Sequence, residues 1–291
     1  MRLDGRRSSS HVEDRRGMST GAKVGTGGIL GIIMAAAIAY FTGGDPMQAV
    51  VQGVQQEMQA RTETVGEQEF TEEEQALAED CKKILASTED VWTQVFKENG
   101  WGDYQYPTLV LFSNQVNSAC GSATAAVGPF YCSGDQKLYV DLSFFTEMKR
   151  QLGVEGNTFA YAYVLAHEIG HHVEYLTGTL NKAHQAMSQT DKVTANQLSV
   201  RLELLADYYA GVWAHYEDRA NHSMEYGDLE KGLELARAIG DDWLQKKARG
   251  RATPESFTHG TSDQRKRWLK RGFETGDMRT STFAVQNYND L

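Results

Sequence analysis

The chain has 291 residues, of which 41% are hydrophobic and 23% charged, a composition typical of a globular protein with one sizeable core. Its formal net charge of −10 argues against a nucleic-acid partner, because phosphate binding needs concentrated lysine and arginine. The three cysteines are too few for a disulfide scaffold.

The first apolar segment is residues 24–41, VGTGGILGIIMAAAIAYF, an uncharged run of 18 residues. A helix needs roughly 20 apolar residues to cross a bilayer, so we predict one transmembrane helix over 24–42. A buried core helix and a cleaved signal peptide ending at Ala37-Ile38-Ala39 are the alternatives. The excess of basic residues before the segment predicts a cytoplasmic tail over 1–23 and a main domain on the far side of the membrane. These basic residues are Arg2, Arg6, Arg7, Arg15, Arg16 and Lys23.

The polar stretch 43–70 is predicted to be a linker, and the folded domain is predicted to cover 71–291. Apolar residues at helical spacing predict one or two amphipathic helices over 72–98. Two short runs rich in Val, Leu and Tyr, at 107–113 and 137–144, are typical of strands.

Helical patterns fill the remainder of the domain. Asn157 is placed to cap the first of them, and Gly178 to stop it. Strands followed by helices indicate an α+β domain, with a small antiparallel or mixed sheet and a helical C-terminal part. The predicted helices cover 157–177, 193–219, 226–248 and a last stretch, capped by Ser262, that contains QRKRWLKR.

Two of the cysteines flank a glycine-containing segment that can fold back on itself. Cys120 and Cys132 therefore either form a disulfide, in an oxidising compartment, or remain free thiols. Cys81 is interpreted as a small buried residue.

The motif HEIGH spans residues 167–171. Residues four apart share one face of a helix, so His167 and His171 can both reach one Zn²⁺ ion. Glu168 lies beside them, where it can act as general base toward the metal-activated water. A helix with core or solvated histidines is the simpler alternative.

A third ligand must come from another part of the fold, and the helical sequence ELLAD at 203–207 supplies a candidate. Glu203 is predicted to complete the zinc site, leaving a fourth position open for water. Asp207, one turn later, is predicted to accept the second ring N–H of a metal-binding histidine. Without the HExxH motif, a surface Glu and Asp pair would be the better interpretation.

The combination of HExxH and ExxAD resembles the gluzincin metallopeptidases. The segments GSATAAVGPFYCSGDQKLYVDLSFF, LAHEIGHHVE, LELLADYYAGVWAH and SFTHGTSDQRKRW more specifically resemble the YpfJ-type neutral zinc metallopeptidases, a family of bacterial membrane proteins. The resemblance covers nearly the whole chain. It implies a zincin-like catalytic domain on the periplasmic side of the bacterial inner membrane. Leu205 stands where the family pattern has Gln.

The function expected from these residues is zinc-dependent hydrolysis of a peptide or protein substrate. By resemblance to the late donor histidine of other gluzincins, His259 is expected to stabilise the oxyanion, with Arg265 orienting it or the substrate. Residues 137–144 are expected to hold an extended substrate by backbone pairing. The alternative function is a membrane-tethered binding or assembly module that keeps zinc and has little or no proteolytic activity.

Overall fold

The computed structural model describes residues 1–17, 70–124, 128–154 and 156–291. Strands β1, β2, β6 and β5, in that order, form one mixed sheet, and β3 pairs with β4 as a separate antiparallel hairpin. Strand β2 pairs in parallel with β1 and β6, whereas β5 is antiparallel to β6. The strands are β1 (Val12–Asp14), β2 (Thr108–Phe112), β3 (Gln115–Ser118), β4 (Gly121–Thr124), β5 (Phe130–Cys132) and β6 (Lys137–Asp141).

Helices surround this sheet and form most of the C-terminal part, as the strand-then-helix order predicts. The α+β class with a mixed sheet is confirmed. The helices are α1 (Glu72–Asn99), α2 (Ser143–Leu152), α3 (Thr158–Leu176), α4 (Thr179–Met187), α5 (Lys192–Asn221), α6 (Asp228–Ala238), α7 (Asp241–Arg249) and α8 (Ser262–Thr275).

The two strands predicted from the sequence correspond to β2 and β6. Strand β6 lies between β2 and β5, so its backbone is already paired on both sides. The expectation that residues 137–144 hold a substrate by backbone pairing is therefore wrong. Strand β5 occupies this edge of the sheet instead.

Helix ends follow local sequence signals, with two corrections. The side chain of Asn157 accepts the backbone N–H of Ala160, as predicted for the α3 cap. The cap of α8 is Thr261 rather than Ser262, because Thr261 forms a capping box with Gln264. The pattern over 226–248 is two helices, which separate where Gly240 meets Ser262. A Cβ at Gly240 would lie 2.4 Å from the Ser262 backbone nitrogen.

Residues 1–15 are part of the folded domain and not a separate tail. They form one compact unit with residues 72–291, in which the side chains of Met1 and Leu3 are buried and β1 is a strand of the main sheet. The predicted division at residue 23 is corrected for these residues, because hydrophobic positions 1 and 3 join the core.

The predicted membrane helix over 24–42 lies outside the described residues, as does nearly all of the predicted linker over 43–70. Among the residues that are described, none of the helices has both the length and the apolar character that crossing a membrane requires.

Cys120 and Cys132 form a disulfide, which resolves the two alternatives left open by the sequence. Cys132 is on β5 and fully buried, and the bridge ties this edge strand to the β3–β4 hairpin. Cys81 is buried in α1, as expected for a small core residue.

Candidate metal centre

The candidate site lies where helices α3 and α5 cross. Gly170 of α3 faces Ala206 of α5 so closely that a Cβ at Gly170 would lie 2.8 Å from the Ala206 Cα atom. Small residues on both helices therefore permit a close approach of the two backbones. This approach brings the HExxH face of α3 against the carboxylates of α5.

The three predicted ligands converge. The ligating atoms of His167, His171 and Glu203 all lie within 4.8 Å of one another. Glu203 Oε2 is 3.2 Å from His167 Nε2, and Glu203 Oε1 is 3.6 Å from His171 Nε2. Two ligands bound tetrahedrally to one Zn²⁺ at its usual distances stand about 3.3 Å apart, so this spacing suits a shared zinc ion.

The outer nitrogens of both rings are held by carboxylates. Asp207 Oδ1 is 2.9 Å from His167 Nδ1, and Glu174 Oε2 is 2.9 Å from His171 Nδ1. A carboxylate accepts a proton from Nδ1, which leaves the lone pair of each Nε2 directed at the common point. This donor set fits zinc: two oriented imidazoles and one carboxylate, with room for a further ligand.

The two histidines and the carboxylates beside them shift one another's pKa values. Burial lowers the pKa of His167, but Asp207 and Glu203 outweigh it and raise that pKa to about 10. For His171, burial is outweighed by Glu203 and Glu174, and the pKa rises to about 9. Burial opposes ionisation of Glu203, yet the two histidines hold its pKa well below the usual range. Binding of a metal cation would therefore displace the protons that these carboxylates stabilise on the two histidines.

Asp207 lies at the centre of a buried network of hydrogen bonds. Its side chain is fully buried and also accepts Arg265 Nε at 2.8 Å, Arg265 Nη2 at 3.0 Å and the hydroxyl of Tyr163 at 2.6 Å. Arg265 therefore pairs with Asp207, and its expected role in orienting His259 or the substrate stays a prediction. Helix α8 comes close enough because Gly272 packs directly against the Tyr208 carbonyl of α5.

Glu168 lies beside the metal-binding face without joining the ligand group. It is 9% exposed, and burial raises the pKa of its carboxyl above the ordinary value. The backbone N–H of Tyr131, on edge strand β5, donates to this carboxylate. The side chain is therefore held beside the candidate ligand group by a hydrogen bond from the strand edge.

His172 fastens edge strand β5 to helix α3. The hydroxyl of Tyr131 lies 2.9 Å from its Nδ1, and the carbonyl oxygen of Gln105 lies 2.7 Å from its Nε2. Nε2 must donate to the carbonyl, so Nδ1 accepts the Tyr131 hydroxyl. Burial lowers the pKa of His172 to about 4, which keeps the ring neutral.

This neutral histidine predicts an acid-sensitive contribution to stability. The unfolded His172 binds a proton below about pH 6.5, whereas the folded residue does so only below about pH 4. Above pH 6.5 the neutral ring therefore contributes about 3 kcal/mol to the free energy of unfolding. This contribution is lost as the pH falls to 4. Urea unfolding at several pH values should show a shallower acid decline for His172→Gln than for the parent. Parallel curves would contradict this assignment.

His259 lies in the loop before α8 and lines the same cleft. Its Nδ1 is 3.3 Å from Asp241 Oδ1 and 3.0 Å from the Thr258 hydroxyl, and its backbone N–H donates to Asp241 at 2.7 Å. The hydrogen bond to Asp241 raises the pKa of the imidazole. Asp241 therefore holds both Nδ1 and the backbone N–H of this histidine.

The cleft over the site has a volume of about 410 Å³. Residues Gly128–Tyr131, from the loop before β5 and from β5 itself, line this cleft. The apolar side chains that also line it, here called its apolar wall, are Val164 of α3, Leu244 of α7 and Ile239, which caps the C-terminus of α6. The three candidate ligands are lining residues of the same cleft.

A family model described as "Putative neutral zinc metallopeptidase" matches residues 1–283. The chain belongs to this family. It is 42% identical over 286 residues to the uncharacterized protein YpfJ of Escherichia coli K12, covering 95% of this chain and 96% of that protein. It is also 42% identical over 183 residues to the uncharacterized protein Rv2575 of Mycobacterium tuberculosis, covering 60% of this chain and 61% of that protein. No solved structure matches the chain.

The family name implies a zinc ion. The structure also places residues beside the candidate site that the sequence did not reveal. Glu174 was detectable, since it lies one helical turn after His171 on the same face. Asp241 and Tyr131 carry no such signal, because each reaches the site from a separate element.

Proposed function

We propose that this protein is a zinc-dependent peptidase in which His167, His171 and Glu203 hold the metal and Glu168 is the general base. The observation that carries the proposal is the convergence of three ligand atoms within 4.8 Å, with Glu168 beside them and outside the ligand set. Two helices far apart in sequence supply these groups, which makes a chance cluster of surface residues a poor explanation.

The roles of the side chains follow from their positions. When bound, zinc lowers the pKa of a water molecule toward about 7 and polarises the scissile carbonyl. Glu168 accepts the proton of the attacking water and delivers it to the leaving amine. His259 Nε2, with Nδ1 engaged by Asp241, donates to the developing oxyanion.

The groove supports binding of an extended peptide along β5. This strand pairs with β6 on one side, and residues Phe130 and Tyr131 line the cleft. A substrate strand added to β5 would pass the metal centre, with its side chains facing the apolar wall. This assignment replaces the earlier expectation for residues 137–144.

The setting we propose is the bacterial cytoplasmic membrane. The apolar segment 24–41 supports attachment to a bilayer. The disulfide between Cys120 and Cys132 supports an extracytoplasmic catalytic domain, because disulfides persist in oxidising compartments.

The test is zinc content and cleavage of casein by the purified full-length chain and by Glu203→Ala. Removing one of three protein ligands should lower zinc affinity by at least about 100-fold, more than the loss of an outer contact does, and cleavage should fall with it. The matched control is Glu234→Ala on α6, since this glutamate is 56% exposed and forms a salt bridge to Lys231 on the same helix.

Two outcomes would contradict the proposal. Unchanged zinc affinity in Glu203→Ala would remove Glu203 from the ligand set. A parent chain that binds zinc but cleaves no protein would favour a binding or assembly module.

A further inference from the structure

Residues 1–15, here called the N-terminal arm, are built into the domain by backbone pairing. Val12 lies opposite Leu109 in the parallel pairing of β1 with β2. The backbone N–H of Leu109 donates to the His11 carbonyl at 2.9 Å, and the N–H of Arg15 donates to the Leu111 carbonyl at 2.8 Å. The arm and the domain must therefore occupy the same compartment.

The domain also depends on the arm for charge compensation. Glu89 on α1 is 1% exposed, and Arg7 and His11 of the arm lie 2.9 Å and 2.8 Å from its carboxylate oxygens. Glu217 on α5 is likewise 1% exposed, and Arg6 lies 2.9 Å from it. Withdrawing the arm would leave Glu89 without Arg7 and Glu217 without Arg6, and a buried charge that loses its partner strongly destabilises the fold.

These ion pairs give the basic residues of the arm a second explanation. Arg6 and Arg7 are engaged by acidic side chains of the domain, so their presence before the apolar segment does not require a cytoplasmic location. The charge asymmetry that predicted a crossing has a structural cause within the folded unit.

The described residues on either side of the apolar segment lie close together. The Arg16 guanidinium stacks 4.2 Å from the centre of the Phe70 ring. Between them the sequence has one apolar run long enough to span, 24–41, whereas 43–69 contains acids, Arg61 and many glutamines. A single crossing by 24–41 would place β1 and β2 on opposite faces of the membrane. Since the two strands are paired, that arrangement is incompatible with the fold.

We propose that the protein is attached to a lipid bilayer with no net crossing of the chain between Arg16 and Phe70, so that the N-terminal arm and residues 72–291 lie on one side. This inference rests on the membrane attachment given under the proposed function, and it replaces the single-pass arrangement. It is independent of the peptidase chemistry.

The test uses cysteine labelling of the full-length chain in bacterial spheroplasts. Ser10→Cys reports on the arm and Gln94→Cys on α1, since both positions are exposed. A membrane-impermeant maleimide is added before or after lysis, and the parent chain corrects for its own cysteines. We expect both variants to be labelled under the same condition, either in intact spheroplasts or only after lysis. Labelling of one in intact spheroplasts and of the other only after lysis would overturn the proposal.

Attachment is tested separately by sedimentation with membranes. Ile32→Asp combined with Ile38→Asp should release the chain into the soluble fraction, whereas the matched control Val50→Asp with Val54→Asp should leave it membrane-bound. Circular dichroism and thermal unfolding of each purified variant report whether the domain is folded. A folded Ile32 and Ile38 variant that stays in the membrane fraction, or a parent that is soluble, would overturn attachment through 24–41. Neither result bears on the peptidase chemistry.

Discussion

Glu168→Gln should abolish peptide cleavage while the protein keeps its zinc. The substitution preserves size and removes the carboxylate that we assign as proton acceptor, which lies beside the ligands and outside the ligand group. General-base catalysis contributes typically 10²–10⁴-fold, and we expect a loss of kcat of about that size. Single-turnover cleavage and zinc content of the same preparation measure the two effects.

The matched control is Glu234→Gln, which changes an exposed glutamate of α6 in the same way. It should retain both properties. Parental activity in Glu168→Gln would end the assignment of Glu168 as the base. Loss of zinc in the same variant would instead make Glu168 a metal ligand, contrary to its position outside the ligand group.

Asp207→Ala should both destabilise the fold and weaken zinc binding. Arg265, which is 3% exposed, would lose both of its hydrogen bonds to the carboxylate and remain as an uncompensated buried charge. Breaking a buried ion pair in this way costs about 3–5 kcal/mol. His167 would lose the acceptor that orients its ring, which typically lowers metal affinity by 10–100-fold.

Urea unfolding measures the first effect of Asp207→Ala, and competition with a zinc chelator measures the second. Asp263→Ala, at an exposed position in the first turn of α8, is the control and should change neither quantity appreciably. The double variant Asp207→Ala with Arg265→Met separates the two effects. It should recover part of the stability, because no charge is left buried, without recovering zinc affinity. Full recovery of both would show that Asp207 acts on the metal only through the fold.

The corrected arrangement of the N-terminal arm affects how such variants are prepared. A chain that begins after the apolar segment lacks β1 and the cations that pair with Glu89 and Glu217. Measurements on the complete chain therefore test the chemistry without removing part of the domain.

The sequence by itself determined the parts of the site that local geometry dictates. His167, His171 and Glu168 share a helix, and the period of 3.6 residues places them without reference to the fold. Glu203 and Asp207 were found because a tetrahedral zinc site requires a third protein ligand and because they too are one turn apart. Strands β2 and β6 were recognisable from their composition.

The tertiary structure decided everything that depends on which elements meet. Strand β1 has only three residues and a polar sequence, VED, so its place in the sheet comes from pairing with β2. Asp241 reaches His259, and Arg265 reaches Asp207, through contacts between elements with no shared period in sequence. The contacts of the arm's arginines were decided in the same way: charge counting along a chain treats arginines as free, whereas folding pairs Arg6 and Arg7 with carboxylates more than 70 residues away.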